Sequence, residues 1–168
     1  MWSCALVTLS REDTEAAYAR HHEVHQSRDW AKIADLFAPN GVYREPFFGE
    51  QRGPEAIRAF LVDSMDGLDD WTFPVRWTLI GEGRVVYEWV NRLPGTRRDG
   101  SYFEFRGISN LLYDDEGRLV LQDDTYDRIE AARVITEGRS RVVERLTGVL
   151  FPKGGNPLLN VARRLTGV

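Results

Sequence analysis

Residues 30–46 have the sequence WAKIADLFAPNGVYREP, and this stretch decides the fold. Its apolar side chains recur at the helical interval from Trp30 to Phe37, which predicts a short helix. The next four residues, Ala-Pro-Asn-Gly at 38–41, are typical of a turn. Val42 to Glu45 then predicts a short strand, which ends at Pro46 because proline cannot donate a hydrogen bond to a neighbouring strand.

Helix signals flank this stretch on both sides. Upstream, Ser10 with Asp13 three residues later begins a predicted helix that runs to Ser27. Downstream, Gly53-Pro54 opens a third helix, because proline is favoured in the first helical turn.

Strand-like runs follow the third helix, at Trp71–Ile80, Arg84–Leu93, Ser101–Tyr113 and Leu119–Asp127. Turn residues separate these runs, and the pattern becomes helical again from Arg128. Helices followed by antiparallel strands indicate an α+β fold, in which the helices pack on one face of a bent sheet. We expect a short lead over residues 1–9, one α+β domain over residues 10–130 and a helical C-terminal extension over residues 131–168.

Composition argues against several classes of function. The net charge of −4 provides no general basic surface for nucleic acid. The single Cys4 rules out an intramolecular disulfide and a cysteine-based metal cluster. No run of about 18 apolar residues predicts a membrane span, and the first nine residues lack the basic start of a signal peptide. A cytoplasmic protein is therefore expected.

The C-terminal extension differs in charge from the rest of the chain. Residues 128–168 are basic overall, whereas the rest of the chain is acidic. Apolar stripes at helical spacing run over residues 142–150 and 158–165, the second beside Arg163 and Arg164. One interpretation is a pair of helices that packs on the domain, on a second subunit or at the mouth of a pocket. The other is a basic amphipathic segment that contacts an anionic membrane peripherally.

The opening stretch, together with Arg-Gly-Pro-Glu-Ala-Ile at residues 52–57, resembles the nuclear transport factor 2-like superfamily. The nearest members are the SnoaL-like polyketide cyclases, with ketosteroid isomerases and limonene-epoxide hydrolases as relatives. Residues 113–120 and 124–127 resemble the last hairpin of these proteins. The resemblance implies a cone-shaped, curved antiparallel sheet wrapped round the N-terminal helices. It also implies a homodimer through the outer sheet face and no cofactor.

Glu45 is the first candidate for chemistry that the resemblance suggests. Isomerase-like relatives place a carboxylate base just before a proline at the end of the first strand, and Glu45-Pro46 matches that position. A carboxyl group that faces an apolar cavity has a raised pKa, which suits proton transfer near neutral pH. The alternative is an ion pair with Arg44 or Arg52 at the rim.

Asp124 is the second candidate, since it lies where SnoaL-like cyclases carry an acid/base aspartate. Period-two alternation puts Gln122, Asp124 and Tyr126 on one face of the last strand. The alternative role for Asp124 is a cap or a salt bridge with Arg128.

The remaining isomerase positions are altered in this chain. The position of the enolate-stabilising tyrosine falls at His21 and that of the protonated aspartate at Ser109; Tyr18 or Tyr43 could compensate. The resemblance thus nominates Tyr43 and His21 as catalytic beside the two carboxylates. The arginine and aspartate that epoxide hydrolases need fall at Trp89 and Asn91, which argues against that chemistry.

The same alternation places polar groups among aromatic ones, which is the usual composition of a ligand site. The expected ligand-binding residues are Tyr18, Trp77, Tyr87, Trp89, Asn91, Phe103, Phe105, Ser109 and Gln122. No metal is expected, because His21 and His25 are at a suitable helical spacing but no third ligand is evident.

These features lead to two hypotheses for the function. The first is a cofactor-independent enzyme that carries out acid/base chemistry, such as isomerisation, cyclisation or dehydration, on a small hydrophobic carbonyl compound. The second is a non-catalytic carrier of a steroid-like or polyketide-like lipid. A protein–protein adaptor is a third possibility, because one fold in this superfamily supports several functions.

Overall fold

The computed structural model describes residues 9–145, with side chains over residues 9–138. Its elements are α1 (Arg11–Ser27), α2 (Trp30–Ile33), a 3-10 turn (Ala34–Leu36), β1 (Phe37–Glu45), β2 (Gly49–Arg52), α3 (Gly53–Met65), β3 (Val75–Gly81), β4 (Arg84–Thr96), β5 (Tyr102–Tyr113), β6 (Leu119–Tyr126) and α4 (Arg128–Arg145). None of the described helices is long and apolar enough to cross a membrane.

Several sequence-based expectations lie outside these limits. Residues 1–8 of the predicted lead are not described, nor are the side chains of the apolar stripes at 142–150 and 158–165. The hypothesis of membrane contact depends on those stripes, so it stays a hypothesis.

The six strands form one curved, unclosed sheet in the order β2-β1-β6-β5-β4-β3, which confirms the predicted α+β fold. Neighbouring strands are antiparallel except β1 and β6, which run parallel. The sheet is therefore mixed, whereas the sequence pattern predicted antiparallel pairing throughout. The difference arises because short turns force antiparallel pairing only between consecutive strands, and β1 and β6 are distant in sequence.

The predicted turn at residues 38–41 is wrong, because β1 runs continuously from Phe37 to Glu45. The pairing of β1 with β6 shifts register between Phe37 and Val42, so an irregularity in the ladder accommodates the turn-like sequence. A Cβ atom at Gly41 would lie only 2.8 Å from the backbone oxygen of Leu119. Glycine at this position therefore lets the two strands approach. The short strand β2, at Gly49–Arg52, was not predicted.

The third strand begins at Val75, four residues later than predicted. Trp71 lies before it and is buried in the core. The register between β3 and β4 shifts between Val75 and Trp77, which turns the Trp77 side chain to the outer face of the sheet. Trp77 is 41% exposed there, together with Leu79 at 66%.

Helices α1–α3 cover the inner face of the sheet. Ser10 caps α1 as predicted, since its hydroxyl accepts a hydrogen bond from the Asp13 N–H at 3.1 Å. Apolar side chains from these helices and from the sheet form the larger core cluster: Leu9, Ala17, Ile33, Ala34, Phe37, Tyr43, Ile57, Leu61, Val85, Tyr87, Leu111, Tyr113 and Leu119. Burial of each large side chain in such a core contributes about 1.5–3 kcal/mol.

Helix α4 packs on strands β4 and β5 and forms a second core cluster there. Phe103 is only 1% exposed and belongs to this cluster with Ala131, Val134 and Ile135. A Cβ atom at Gly138 would come within 2.7 Å of the Leu93 side chain, so the glycine allows the helix to lie close to the sheet.

Candidate active site

A cavity of about 120 Å3, part of it open to solvent, lies between helices α1–α3 and the inner face of the sheet. Among its lining residues are these expected ones: Tyr18, His21, Tyr43, Glu45, Tyr87, Trp89, Asn91, Phe105, Ser109, Gln122 and Asp124. Two expected residues lie elsewhere. Trp77 points outward because of the shift in β3, and Phe103 is covered by α4 in the second cluster.

Asp124 is the centre of a hydrogen-bond network at the cavity wall. Its Oδ2 accepts from the Tyr43 hydroxyl at 2.6 Å, and its Oδ1 accepts from the Ser109 hydroxyl at 2.6 Å. The Gln122 amide also donates to Oδ1, at 3.3 Å. The Trp89 indole N–H donates to the Ser109 oxygen at 2.8 Å, which leaves the Ser109 hydrogen for Asp124. These contacts replace the predicted alternative of a salt bridge with Arg128.

Burial raises the pKa of Asp124, although the hydrogen bonds from Ser109, Tyr43 and Gln122 oppose the rise because they favour the charged form. Each carboxylate oxygen has two lone pairs. Oδ1 accepts two bonds and Oδ2 accepts one, so one lone pair of Oδ2 has no donor among the described residues. Asp124 can thus accept a proton while the network holds it in place.

Glu45 lies at the end of β1, where the chain turns into β2. Its Oε2 accepts from the backbone N–H groups of Phe47 and Phe48 at 2.8 and 2.9 Å, and its Oε1 accepts from the Tyr126 hydroxyl. Burial raises the pKa of Glu45 to about 7, with the two backbone N–H groups acting in the opposite direction. The carboxyl is therefore partly protonated near neutral pH. Arg44 and Arg52, the partners that the alternative predicted, both contact Glu50.

The two carboxyl groups are on adjacent strands of the sheet. In the parallel pairing of β1 with β6, Tyr43 is opposite Gln122 and Arg44 is opposite Asp123. Because side chains alternate along a strand, Glu45 and Asp124 both point to the cavity. The charge of Asp124 contributes to the raised pKa of Glu45, so protonation of one group affects the other.

Two buried tyrosines in the cavity remain protonated at any physiological pH. Burial, followed by the nearby charge of Asp124, raises the pKa of Tyr43 and of Tyr87 well above the ordinary value. Both side chains therefore act as neutral hydrogen-bond donors. Tyr18 also lines the cavity, and its hydroxyl lies 3.4 Å from the Thr78 hydroxyl.

The histidines of α1 form another part of the cavity wall. Burial lowers the pKa of His21 to about 3 and that of His25 to about 4, so both imidazoles are neutral at neutral pH. His25 is in edge contact with Trp30 and Phe73, with ring centroids 5.1 and 5.8 Å apart. Within residues 9–138, no group of three or more His, Cys, Asp or Glu side chains is arranged to hold a metal ion.

Sequence reasoning missed several aromatic lining residues: Trp30, Phe48, Phe60 and Phe73. Trp30 did belong to an apolar helix face in the sequence, but that pattern does not separate a core position from a cavity wall. Tyr126 was placed on the face of Asp124 by alternation, although its contact with Glu45 depends on the pairing of β1 with β6.

Comparisons with known proteins identify the family and the fold. The family model described as a SnoaL-like domain matches residues 18–122. No curated protein is significantly similar to the sequence. A steroid delta-isomerase from Pseudomonas aeruginosa is similar in structure, with 21% identity, a TM-score of 0.59 and coverage of 83% of this chain and 96% of that chain.

Two further solved structures are similar to this chain. An LEH-like epoxide hydrolase of M. tuberculosis has 17% identity, a TM-score of 0.61 and coverage of 80% of this chain and 98% of that chain. TerC, co-crystallised with polyporic acid, has 18% identity, a TM-score of 0.60 and coverage of 74% and 98%, respectively. At these identities the likeness concerns the fold.

Proposed function

The chain belongs to the SnoaL-like domain family, and on that basis we propose that it is a cofactor-independent enzyme that moves a proton on a small hydrophobic carbonyl compound. The reaction is an isomerisation, a cyclisation or a dehydration. The proposal is carried by one observation, the desolvated Asp124 carboxylate that Tyr43, Ser109 and Gln122 hold at the cavity wall. A held carboxylate with a raised pKa is suited to general acid/base catalysis near neutral pH.

The proton transfer uses the remaining lone pair of Asp124 Oδ2. Oδ2 accepts a proton from the carbon beside the substrate carbonyl, and the electron pair of that C–H bond moves toward the carbonyl oxygen to give an enolate. In an isomerisation, Asp124 returns the proton to a different carbon. In a cyclisation, the enolate carbon bonds to a second carbonyl carbon, and the proton goes to the new alkoxide oxygen.

Glu45 complements Asp124 because it is partly protonated under the same conditions. Its pKa is raised to about 7, so a substantial fraction carries a proton at neutral pH. A protonated carboxyl can donate a hydrogen bond to the developing enolate oxygen, where such a donor stabilises charge most effectively in a site with little water. Two neighbouring carboxyl groups with different protonation states provide one acid and one base.

The remaining cavity wall favours a hydrophobic substrate. Aromatic side chains supply much of the lining, including Trp30, Phe48, Phe60, Phe73, Trp89 and Phe105. A cavity of this composition suits flat, apolar molecules.

A carrier of a steroid-like or polyketide-like lipid is the second candidate function. It is favoured by the hydrogen bonds of Glu45, since a carboxylate that accepts two backbone N–H groups also stabilises the turn between β1 and β2. In a carrier, that structural role would be the main role of Glu45.

Phenols of similar size and graded acidity test the proposal, because an acidic phenol imitates an enolate. We would measure the melting temperature of the protein with 4-methylphenol, 4-chlorophenol and 4-cyanophenol. A ligand at about one hundred times its dissociation constant stabilises by roughly 2.7 kcal/mol, a rise on the order of 5–10 °C for this size. Stabilisation that increases with acidity supports the enzyme. Stabilisation that follows hydrophobicity alone supports the carrier.

A further inference from the structure

The side-chain amide of Asn91 is a polar group of the cavity wall that makes no hydrogen bond to the described residues. Asn91 is half-buried. Its amide is not one of the enclosed polar atoms that lack a partner, which among the described residues belong to His21, Tyr113 and Gln122. The amide is therefore accessible from the cavity. A few polar groups of this kind fix the orientation of the molecule in a ligand site.

Asparagine is an unfavourable residue for this position of strand β4. Val85 and Tyr87 lie on the same face of the strand by alternation, and they are 0% and 6% exposed. Asparagine is depleted in β-strands, and an apolar side chain at residue 91 would add buried apolar surface beside the aromatic rings. The strand thus keeps a polar side chain where stability favours an apolar one. Such local departures from the stabilising pattern are typical of functional positions.

The register of the sheet separates Asn91 from the catalytic carboxyl group. Tyr87 pairs with Ser109 and Ser109 pairs with Asp124, so these three residues form one row across β4, β5 and β6. Asn91 pairs with Phe105, four residues further along β4 than Tyr87. Strands about 4.8 Å apart and a rise of about 3.3 Å per residue put the Cα atoms of Asn91 and Asp124 on the order of 15 Å apart. The two side chains therefore contact different atoms of a ligand.

The Trp89 indole covers the sheet between these two polar side chains. Gly107 lies halfway between them, because it pairs with Trp89 on β4 and with Tyr126 on β6. A Cβ atom at Gly107 would lie 2.2 Å from the indole, so the ring covers the glycine backbone. Phe105 and Tyr126 contact the indole, with ring centroids 6.4 and 5.8 Å away. This wall of the cavity is thus polar at both ends and aromatic in the middle.

A ligand that matches this wall has an oxygen at each end of an apolar ring system. Its reacting carbonyl lies at the Asp124 end, as the proposed function requires. At the other end, the Asn91 amide can donate and accept hydrogen bonds, so it matches a neutral hydroxyl or carbonyl oxygen. A carboxylate is a poor match, because the described residues that line the cavity include no Lys or Arg to compensate for its lost hydration.

We propose that Asn91 binds a second oxygen of the ligand, so that the substrate is an elongated cyclic ketone with a hydroxyl or carbonyl group remote from the reacting carbonyl. This inference rests on the proposed function, because that function assigns the reacting carbonyl to the Asp124 end. The contact with Asn91 orients the ring system across the Trp89 indole. It also discriminates against ketones that lack the second oxygen, since these leave the amide without a partner from the ligand.

Pairs of substituted 1-tetralones that match in size provide the test. The probes carry a substituent at position 6 or 7, either hydroxyl against methyl or acetyl against isopropyl, at pH 6, where the phenols are protonated. The two kinds of pair distinguish a hydroxyl from a carbonyl as the second oxygen. For at least one pair, we expect the oxygen compound to bind about tenfold more tightly than its apolar twin in calorimetry, which corresponds to ~1.4 kcal/mol.

Two variants assign this preference to the amide. Asn91→Leu replaces the amide with an apolar side chain of similar size, and Asn91→Ala removes it. In both variants we expect the ratio of the two dissociation constants to fall to about twofold or less. Comparing two probes on the same variant cancels changes in packing that affect both. Asn110→Leu is the matched control, because Asn110 is a half-buried asparagine of β5 that does not line the cavity. It should keep the full ratio.

The outcomes separate this inference from the proposed function. Equal binding of the twins in every pair, with catalysed proton exchange on 1-tetralone, would contradict the contact with Asn91 and leave the enzyme intact. A preference that survives in both Asn91 variants would also overturn the contact. A preference that both variants lose, without any proton exchange, would support the contact and contradict the enzyme. Absence of both tetralone binding and exchange would count against the inference and the proposed function together.

Discussion

The Tyr43 hydroxyl donates a 2.6 Å hydrogen bond to Asp124 Oδ2, although the two residues are 81 positions apart in the sequence. The parallel pairing of β1 with β6 brings them together, and Ser109 donates to the other oxygen from β5. Three strands thus define the position of one carboxylate. Because the surrounding protein fixes both oxygens, little reorganisation is needed when Asp124 accepts a proton.

Loss of the Tyr43 hydroxyl should change how the activity depends on pH. A hydrogen bond to the charged form lowers the pKa of Asp124, so Tyr43→Phe should raise that pKa further. The acid side of the rate–pH profile should then move to higher pH, with a loss of about tenfold at pH 6 and a smaller loss at pH 8. Tyr113→Phe is the control, since it removes a buried hydroxyl outside the cavity. If Tyr43→Phe leaves the rate–pH profile unchanged, the Tyr43 hydroxyl does not lower the pKa of Asp124.

The contribution of Glu45 to the stability of the folded protein should decrease as the pH rises. Its pKa is about 7 in the folded protein and about 4.5 in its ordinary state. The folded protein therefore binds more protons than the unfolded chain between these values. Its contribution to stability is fully present below about pH 4.5 and is lost as the pH rises through about 7.

The change Glu45→Gln isolates this contribution, because glutamine keeps an acceptor for the Phe47 and Phe48 N–H groups. Relative to the variant, the native protein should lose on the order of 1–3 kcal/mol of unfolding free energy between pH 4.5 and 8. Urea unfolding of both proteins at several pH values measures this loss. Glu50→Gln is the control, because contacts with Arg44 and Arg52 lower the pKa of Glu50. The Glu50 contribution has the opposite sign and is lost at low pH. If the unfolding free energy changes with pH equally in the native protein and in Glu45→Gln, the pKa of Glu45 is not raised.

Gly107 should be essential for the position of the Trp89 indole. A Cβ atom at Gly107 would lie 2.2 Å from the Trp89 ring, so alanine forces the indole away from Ser109. We expect Gly107→Ala to destabilise by about 1–3 kcal/mol in urea unfolding and to weaken phenol binding. Gly81→Ala is the matched control in a strand, since its nearest neighbour is 3.9 Å away. Equal stability of the two variants would contradict this account.

The outer face of the sheet should mediate a homodimer, as the family resemblance implied. Trp77, Leu79 and Ile108 are 41%, 66% and 41% exposed on that face. Glu88 lies among them and pairs with Arg76 and Arg106 at 3.5 and 4.0 Å, so the face combines exposed apolar side chains with paired charges. Leu79→Glu should therefore give a monomer in sedimentation experiments. Ile129→Glu, which alters an exposed residue of α4, should not. A native protein that is monomeric throughout would contradict the expectation.

The sequence predicts local features of this fold well. Ser10 begins α1 because its side chain can cap the helix, and that signal depends on adjacent residues only. Alternation likewise places Gln122, Asp124 and Tyr126 on one face, because the pleat of a strand dictates it.

Features that depend on distant pairing were not predictable in the same way. The shift in the β3–β4 register sends Trp77 outward, and no residue pattern marks it. Phe103 obeys alternation and faces inward, but α4 covers it, so it contributes to the core instead of the cavity. The turn signal at residues 38–41 was overridden because Phe37 pairs with Leu119 on a remote strand.

Catalysed hydrogen–deuterium exchange on 1-tetralone tests the central claim most directly. The hydrogens beside its carbonyl exchange with D2O only through an enol or enolate, and mass spectrometry measures the rate. We expect the native protein to accelerate this exchange and Asp124→Asn to reduce the acceleration by about 100-fold or more. Asp123→Asn should retain the acceleration, because Asp123 is a neighbouring carboxyl group that does not line the cavity. Exchange that is equally fast in Asp124→Asn, or no acceleration by the native protein, would contradict proton transfer by Asp124.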